Sequence, residues 1–103
     1  GIVVVGNNQE NVAYPSGLCA ERTALFAANA NYPNVAPKAL AIAAQTGGKF
    51  LEKPISPCGS CRQVILEAEK RFGKEIVMLL FGEKNIYEVT SVRSLLPLAF
   101  DEI

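Results

Sequence analysis

Pro57-Cys58-Gly59-Ser60-Cys61-Arg62-Gln63 sets two cysteines three positions apart where a loop turns into a helix. A partner stretch lies upstream, Gly17-Leu18-Cys19-Ala20-Glu21-Arg22, and carries the third and last cysteine of the chain. Three thiolates leave a tetrahedral metal one ligand short. A structural zinc site normally closes with four protein ligands, whereas a catalytic one keeps three and leaves the last position to water or substrate. The chain has no histidine, so it offers no fourth soft ligand, and any general base has to be a carboxylate, a tyrosine or a lysine. Glu21, two residues past Cys19, is the carboxylate best placed by sequence.

Both cysteine motifs sit at expected helix starts, where free backbone N–H groups and the positive end of the dipole suit anionic ligands. Cys58 and Cys61, three apart, lie on neighbouring parts of one helical face and can share an ion. Cys19 and Glu21, two apart, point to nearly opposite sides of a helix, so they cooperate only if the pocket wraps around the helix tip. Three thiolates against one Zn²⁺ leave a formal charge of about −1, which weakens the pull on a water molecule. Arg22 is placed to donate hydrogen bonds to a thiolate sulfur and offset that charge. Arg62, next to Cys61, either assists or is solvated. The competing reading makes each cysteine a small buried hydrophobe, with Cys58 and Cys61 as a redox pair. CxxC alone is a weak signal; the Cys-Ala-Glu-Arg and Pro-Cys-Gly-Ser-Cys contexts together favour the metal.

Outward from these motifs the chain alternates strand and helix. Residues 1–6 form a β-branched run, expected as a strand lacking its partner, which the amides of residues 7–11 then stop. Ser16 is the expected cap of a helix over residues 18–29, which puts Cys19 in its first turn. Residues 39–44 read as a short strand and 45–53 as a polar loop with two glycines. From Cys58 a second helix carries Cys61, Val64, Ile65, Ala68 and Phe72 on one inward stripe, and Gly73 ends it. Residues 76–81 read as a central strand and 85–89 as an edge strand. Ser91 caps a last short helix over 92–96, closed by Pro97. This order implies an α/β fold, a sheet covered by helices.

At 103 residues and 50% apolar, the chain suits one domain with a real core. Its formal net charge is zero and its ten basic residues are scattered, which argues against a nucleic-acid partner and for a small ligand. No apolar run approaches the roughly 18 residues that span a bilayer. The odd cysteine count, the CxxC spacing and the absence of a signal-like start point to a reducing, cytoplasmic setting.

The runs Asn-Asn-Gln-Glu-Asn-Val-Ala-Tyr-Pro-Ser-Gly-Leu-Cys-Ala-Glu-Arg, Ser-Pro-Cys-Gly-Ser-Cys-Arg-Gln-Val and Leu-Leu-Pro-Leu-Ala-Phe together resemble cytidine deaminases of the small homotetrameric, three-cysteine zinc type. The likeness extends from the first residue almost to the last. It implies a three-layer α/β/α domain over residues 1–103, incomplete at its N-terminus because the family's opening helix and first strand precede this chain. It implies Zn²⁺ on Cys19, Cys58 and Cys61, with Glu21 passing protons from water to ring N3 and to the departing amine as cytidine or deoxycytidine becomes uridine or deoxyuridine in pyrimidine salvage. Asn8 and Glu10 match positions that bind the ribose hydroxyls, and Ala20 the one whose N–H meets the pyrimidine carbonyl. Tyr14 is similar to a tyrosine near the site, or else packs. Phe100 resembles the aromatic that reaches into a neighbouring subunit's pocket, or else is a core residue. The alternatives are deamination of a nucleoside antibiotic such as blasticidin S, a non-catalytic zinc-stabilised oligomerisation module and, more weakly, a thiol redox protein.

Overall fold

The computed structural model describes residues 1–102. Two compact units divide the chain, Gly1–Ala36 and Pro37–Ile103. In the first, the only helix of α type is α1, Ala20–Asn31, preceded by a 3₁₀ turn, Tyr14–Ser16. Its Ala, Leu, Glu and Arg content favours helix. It stops at Tyr32, whose φ of −136° and ψ of 61° are not helical, because Pro33 clashes with a helical residue before it. Ser16 does not cap this helix. Its hydroxyl donates to the Ala13 carbonyl and to Asn11 Oδ1, which tightens the turn, and the N-cap is Cys19 itself.

The expected strand over residues 1–6 does not form. Ile2, Val3 and Val5 are exposed, and the unit contains no second strand to accept a ladder; its sole bridge pairs Gln9 with Leu18 through hydrogen bonds of 2.8 and 2.9 Å. β-Branched composition supplies strand propensity, but pairing supplies the strand. Gly6 lies so close to α1 that a Cβ there would fall 2.7 Å from the Ala24 backbone nitrogen.

In the second unit, β1 (Ala39–Ile42), β4 (Val77–Phe81) and β5 (Ile86–Val89) make a three-stranded sheet in the order β1-β4-β5. β1 runs parallel to β4, with Ala39 opposite Val77 and Ile42 opposite Leu80, while β5 runs antiparallel to it, so the sheet is mixed and the fold α/β. The continuous apolar run of β4 fits its central place: Met78 and Leu80 are buried on one face, and Val77, Leu79 and Phe81 are half-buried on the other. The expected loop over 45–53 contains a small hairpin instead, β2 (Gln45–Thr46) paired with β3 (Lys49–Phe50). Gly47 and Gly48, at φ of 58° and 78°, supply the two left-handed residues such a tight turn needs.

α2, Gly59–Phe72, runs from N-cap Cys58 to a left-handed Gly73. Its buried residues are Cys61, Ile65, Leu66, Ala68 and Glu69; Val64 and Phe72, expected on that stripe, are only half-buried. The inward face is thus rotated toward Leu66 and Glu69, and Ile65, Leu66, Ile76, Met78 and Val92 form the fully buried core. After β5 the chain closes with a 3₁₀ turn, Val92–Leu95, rather than an α-helix; Ser91 Oγ caps it by accepting from Arg93 N–H at 3.2 Å.

Glu69 is a buried acid in this core. Its carboxylate accepts from Ser91 Oγ and Ile76 N–H at 2.9 Å each and from Val92 N–H at 3.4 Å, so one side chain ties α2 to the starts of β4 and the closing turn. Removing it strands buried donors without partners, which costs about 1–3 kcal/mol for each such group. Glu69→Ala is expected to lose about 3 kcal/mol of stability, read as a lowered urea midpoint at unchanged slope.

Candidate metal centre

α1 and α2 present their cysteines in the same local way. Cys19 has φ −70° and ψ 158° and Cys58 has φ −69° and ψ 171°; both are N-caps in extended backbone, and neither side chain makes a capping hydrogen bond. The first turns following them are helical, so Cys61 is the third residue of α2 and Glu21 the second residue of α1. The helical-wheel argument that sets Cys19 and Glu21 on opposite sides does not apply, because Cys19 is not on the wheel. Nor do Cys58 and Cys61 share a helical face: they stand as N-cap and N3, the relation in which a side chain naturally reaches back to the cap.

Cys61 is fully buried, Cys19 half-buried and Cys58 exposed. Cys58 and Cys61, both in the second unit, bring their sulfur atoms within 4.8 Å of each other. Tetrahedral Zn–S bonds of about 2.3 Å put sulfurs about 3.8 Å apart, a separation compatible with this pair sharing one zinc. Arg22 donates from a terminal guanidinium nitrogen to Cys19 Sγ at 3.6 Å, as expected for a cation that offsets thiolate charge. Arg62 does neither thing expected of it. Its guanidinium donates to the carbonyls of Pro57 (2.8 Å) and Leu95 (3.0 Å) and to Ser56 Oγ (3.1 Å), pinning the loop that leads into Cys58.

Residues of Gly1–Ala36 also line an open cleft of about 650 Å³ that collects Asn8, Glu10, Tyr14, Cys19 and Arg22. Sequence reading had singled out all five, for separate reasons. Tyr14 is 83% exposed on this cleft, so its packing alternative fails. Asn11 is a residue whose part was not foreseen: its Oδ1 accepts from Ala13 N–H and Ser16 Oγ and shapes the wall. Ala20 departs from expectation. Its N–H is not a free helix-start amide but donates to Asn8 Oδ1 at 2.8 Å. Glu21 is half-buried in the first turn of α1, where an acid complements the dipole.

Phe100 is 70% exposed, which removes the core alternative. Its backbone is held: the Phe100 carbonyl accepts from Gln63 Nε2 at 2.8 Å, Lys70 Nζ bonds the Asp101 carbonyl, and Arg93 pairs with Asp101 at 3.0 Å. Arg93 holds the Asp101 carboxyl below its usual range, chiefly through that hydrogen bond. Nothing in the local sequence around residue 63 announces this tie, because its partner is 37 positions away.

Residues 1–79 match the family described as the cytidine and deoxycytidylate deaminase zinc-binding region. The chain belongs to that deaminase family. It is 42% identical over 102 residues to a cytidine deaminase of Sporosarcina psychrophila, covering 99% of this chain and 68% of that protein. It is 42% identical over 100 residues to one of Halalkalibacterium halodurans, covering 97% and 69%. The crystal structure of a cytidine deaminase from Burkholderia pseudomallei superposes with a TM-score of 0.75 at 38% identity, covering 97% of this chain and 73% of that one. For a chain whose residues 1–79, with all three cysteines, match a zinc-binding region, the fitting cofactor is Zn²⁺. Relatives of this kind do not favour the antibiotic-deaminase, redox or non-catalytic alternatives. No helix among the described residues is long and apolar enough to cross a membrane.

Proposed function

We propose that this chain, residues 1–103 acting as one domain, hydrolyses cytidine and deoxycytidine to uridine and deoxyuridine with release of ammonia. The observation that carries the proposal is the match of residues 1–79, which include Cys19, Glu21, Cys58 and Cys61, to the zinc-binding region of the deaminase family. Cys19, Cys58 and Cys61 would hold the zinc, which would supply a Lewis acid able to bring the pKa of water to about 7. Glu21 accepts a proton from the attacking water and delivers it to ring N3, then takes the proton of the new C4 hydroxyl and passes it to the amine, which leaves as ammonia as the C4 carbonyl forms. Arg22 keeps the cysteine set from becoming too electron-rich by its hydrogen bond to Cys19.

Asn8 and Glu10, side by side on the cleft, supply an amide and a carboxylate of the kinds that bind sugar hydroxyls. For Ala20 to donate to the pyrimidine carbonyl, its bond to Asn8 has to be exchanged on substrate entry. Tyr14 offers an exposed ring beside the bound nucleoside. Phe100, exposed on a tethered backbone, suits insertion into the pocket of a neighbouring subunit in a homotetramer. Scattered charge and an odd number of cysteines suit a cytoplasmic enzyme of pyrimidine salvage without a nucleic-acid or membrane partner.

The test is stoichiometric. Zinc-loaded protein incubated with cytidine is expected to yield uridine and ammonia one to one; a chelator is expected to abolish turnover, and added Zn²⁺ to restore it. Turnover that survives complete removal of the metal would sink the proposal.

A further inference from the structure

Both cysteines that open the helices are N-caps, and neither side chain makes a capping hydrogen bond. The orphan N–H groups of a first turn then need an acceptor from elsewhere. In α1 the acceptor is supplied from twelve residues upstream: Ala20 N–H donates to Asn8 Oδ1 at 2.8 Å. The same strap is fastened at two more points. Gln9 and Leu18 exchange both backbone hydrogen bonds, and Gly6 lies against the Ala20 carbonyl and Ala24 backbone with no room for a Cβ. The strap over residues 6–9 therefore lies along the very turn that carries Cys19, Glu21 and Arg22.

We infer that Asn8 is a positioning residue for the metal centre: its side-chain oxygen caps α1 in place of Cys19, and so holds the turn bearing one zinc ligand and the proton carrier. This role is distinct from any contact Asn8 makes with substrate, and it rests on the zinc reading given above. A capped first turn keeps the Cys19 sulfur in place when the ion's bonds open; an uncapped one frays and lets the ion escape. Capping side chains and the groups that support metal ligands have effects of about this size, roughly tenfold or more in metal retention.

The experiment follows zinc transfer from ligand-free holoprotein to a chromogenic chelator, with far-UV circular dichroism as a check on folding. Asn8→Ala removes the acceptor and is expected to release zinc about tenfold faster than the native chain. Asn8→Asp keeps an acceptor at the same reach and adds a charge that the helix start favours, so its release rate is expected to stay within about twofold of native. Asn8→Gln keeps the amide but moves its oxygen by one methylene, and is expected to behave like Asn8→Ala. If Asn8→Ala does not fold, the Asp and Gln variants still divide acceptor position from amide chemistry. Native zinc lifetime in Asn8→Ala, or equal lifetimes in the Asp and Gln variants, overturns the inference. A native chain that takes up no zinc overturns the metal reading itself, which separates the two failures.

Discussion

Replacing Glu21 with glutamine is expected to lower the turnover of cytidine by roughly 10³- to 10⁴-fold while the protein keeps its zinc. The substitution preserves volume and an acceptor oxygen, and Glu21 is not one of the three proposed cysteine ligands, so the ion has no reason to leave. What is lost is a group that can hold a proton between water and ring nitrogen and again between ring and amine. General acid–base catalysis is worth about 10² to 10⁴, and a residue used at more than one transfer belongs at the upper end. Because α1 starts at Ala20, Glu21 also interacts favourably with the helix dipole, worth typically under about 1 kcal/mol at such a position. A small fall in melting temperature is therefore expected beside the large fall in kcat. Zinc content by elemental analysis and kcat on the same preparation decide the matter: full zinc with unchanged kcat removes Glu21 from the chemistry.

The second large effect is loss of the ion itself. Removing one of three sulfur ligands is expected to weaken zinc binding by on the order of 10³-fold, since structural sites bind with about 10–16 kcal/mol shared among their ligands. Cys58→Ala and Cys61→Ala should share this loss and differ in everything else. Cys58 is exposed, so truncating it opens no void, whereas Cys61 is fully buried in α2 and its truncation leaves a small void costing about 1 kcal/mol. Zinc titration and urea unfolding of the zinc-free variants separate the two contributions. If either variant holds zinc as tightly as the native chain, that cysteine is not a ligand.

Much of the second unit can be read one neighbour at a time. The apolar run of β4, the helix from Cys58 to its left-handed Gly73 and the Ser91 cap each follow from side chains within a few positions of where they act. Where sequence reading went astray, the deciding partner was remote or the two options were locally equal. Residues 2–5 have the composition of a strand but no ladder to join. Ser16 is as good a cap as any, yet Asn11 and Ala13 take its hydroxyl and α1 begins four residues later. Periodicity placed α2 with a core face but not with its exact orientation, since Glu69 turns inward only because Ile76, Ser91 and Val92 offer it donors.

The amino-acid sequence by itself determined which chemistry is available: three sulfurs and no histidine, an acid beside one of them, a cation three residues further on, and helices that begin at the sulfurs. Those are properties of residue type and short spacing. Tertiary structure alone decided that Arg62 braces a loop instead of a sulfur and that Asn8 caps the turn Cys19 leaves open. The reason is that a hydrogen bond or shared ion between distant segments depends on how the chain folds back on itself, and no local pattern carries that information.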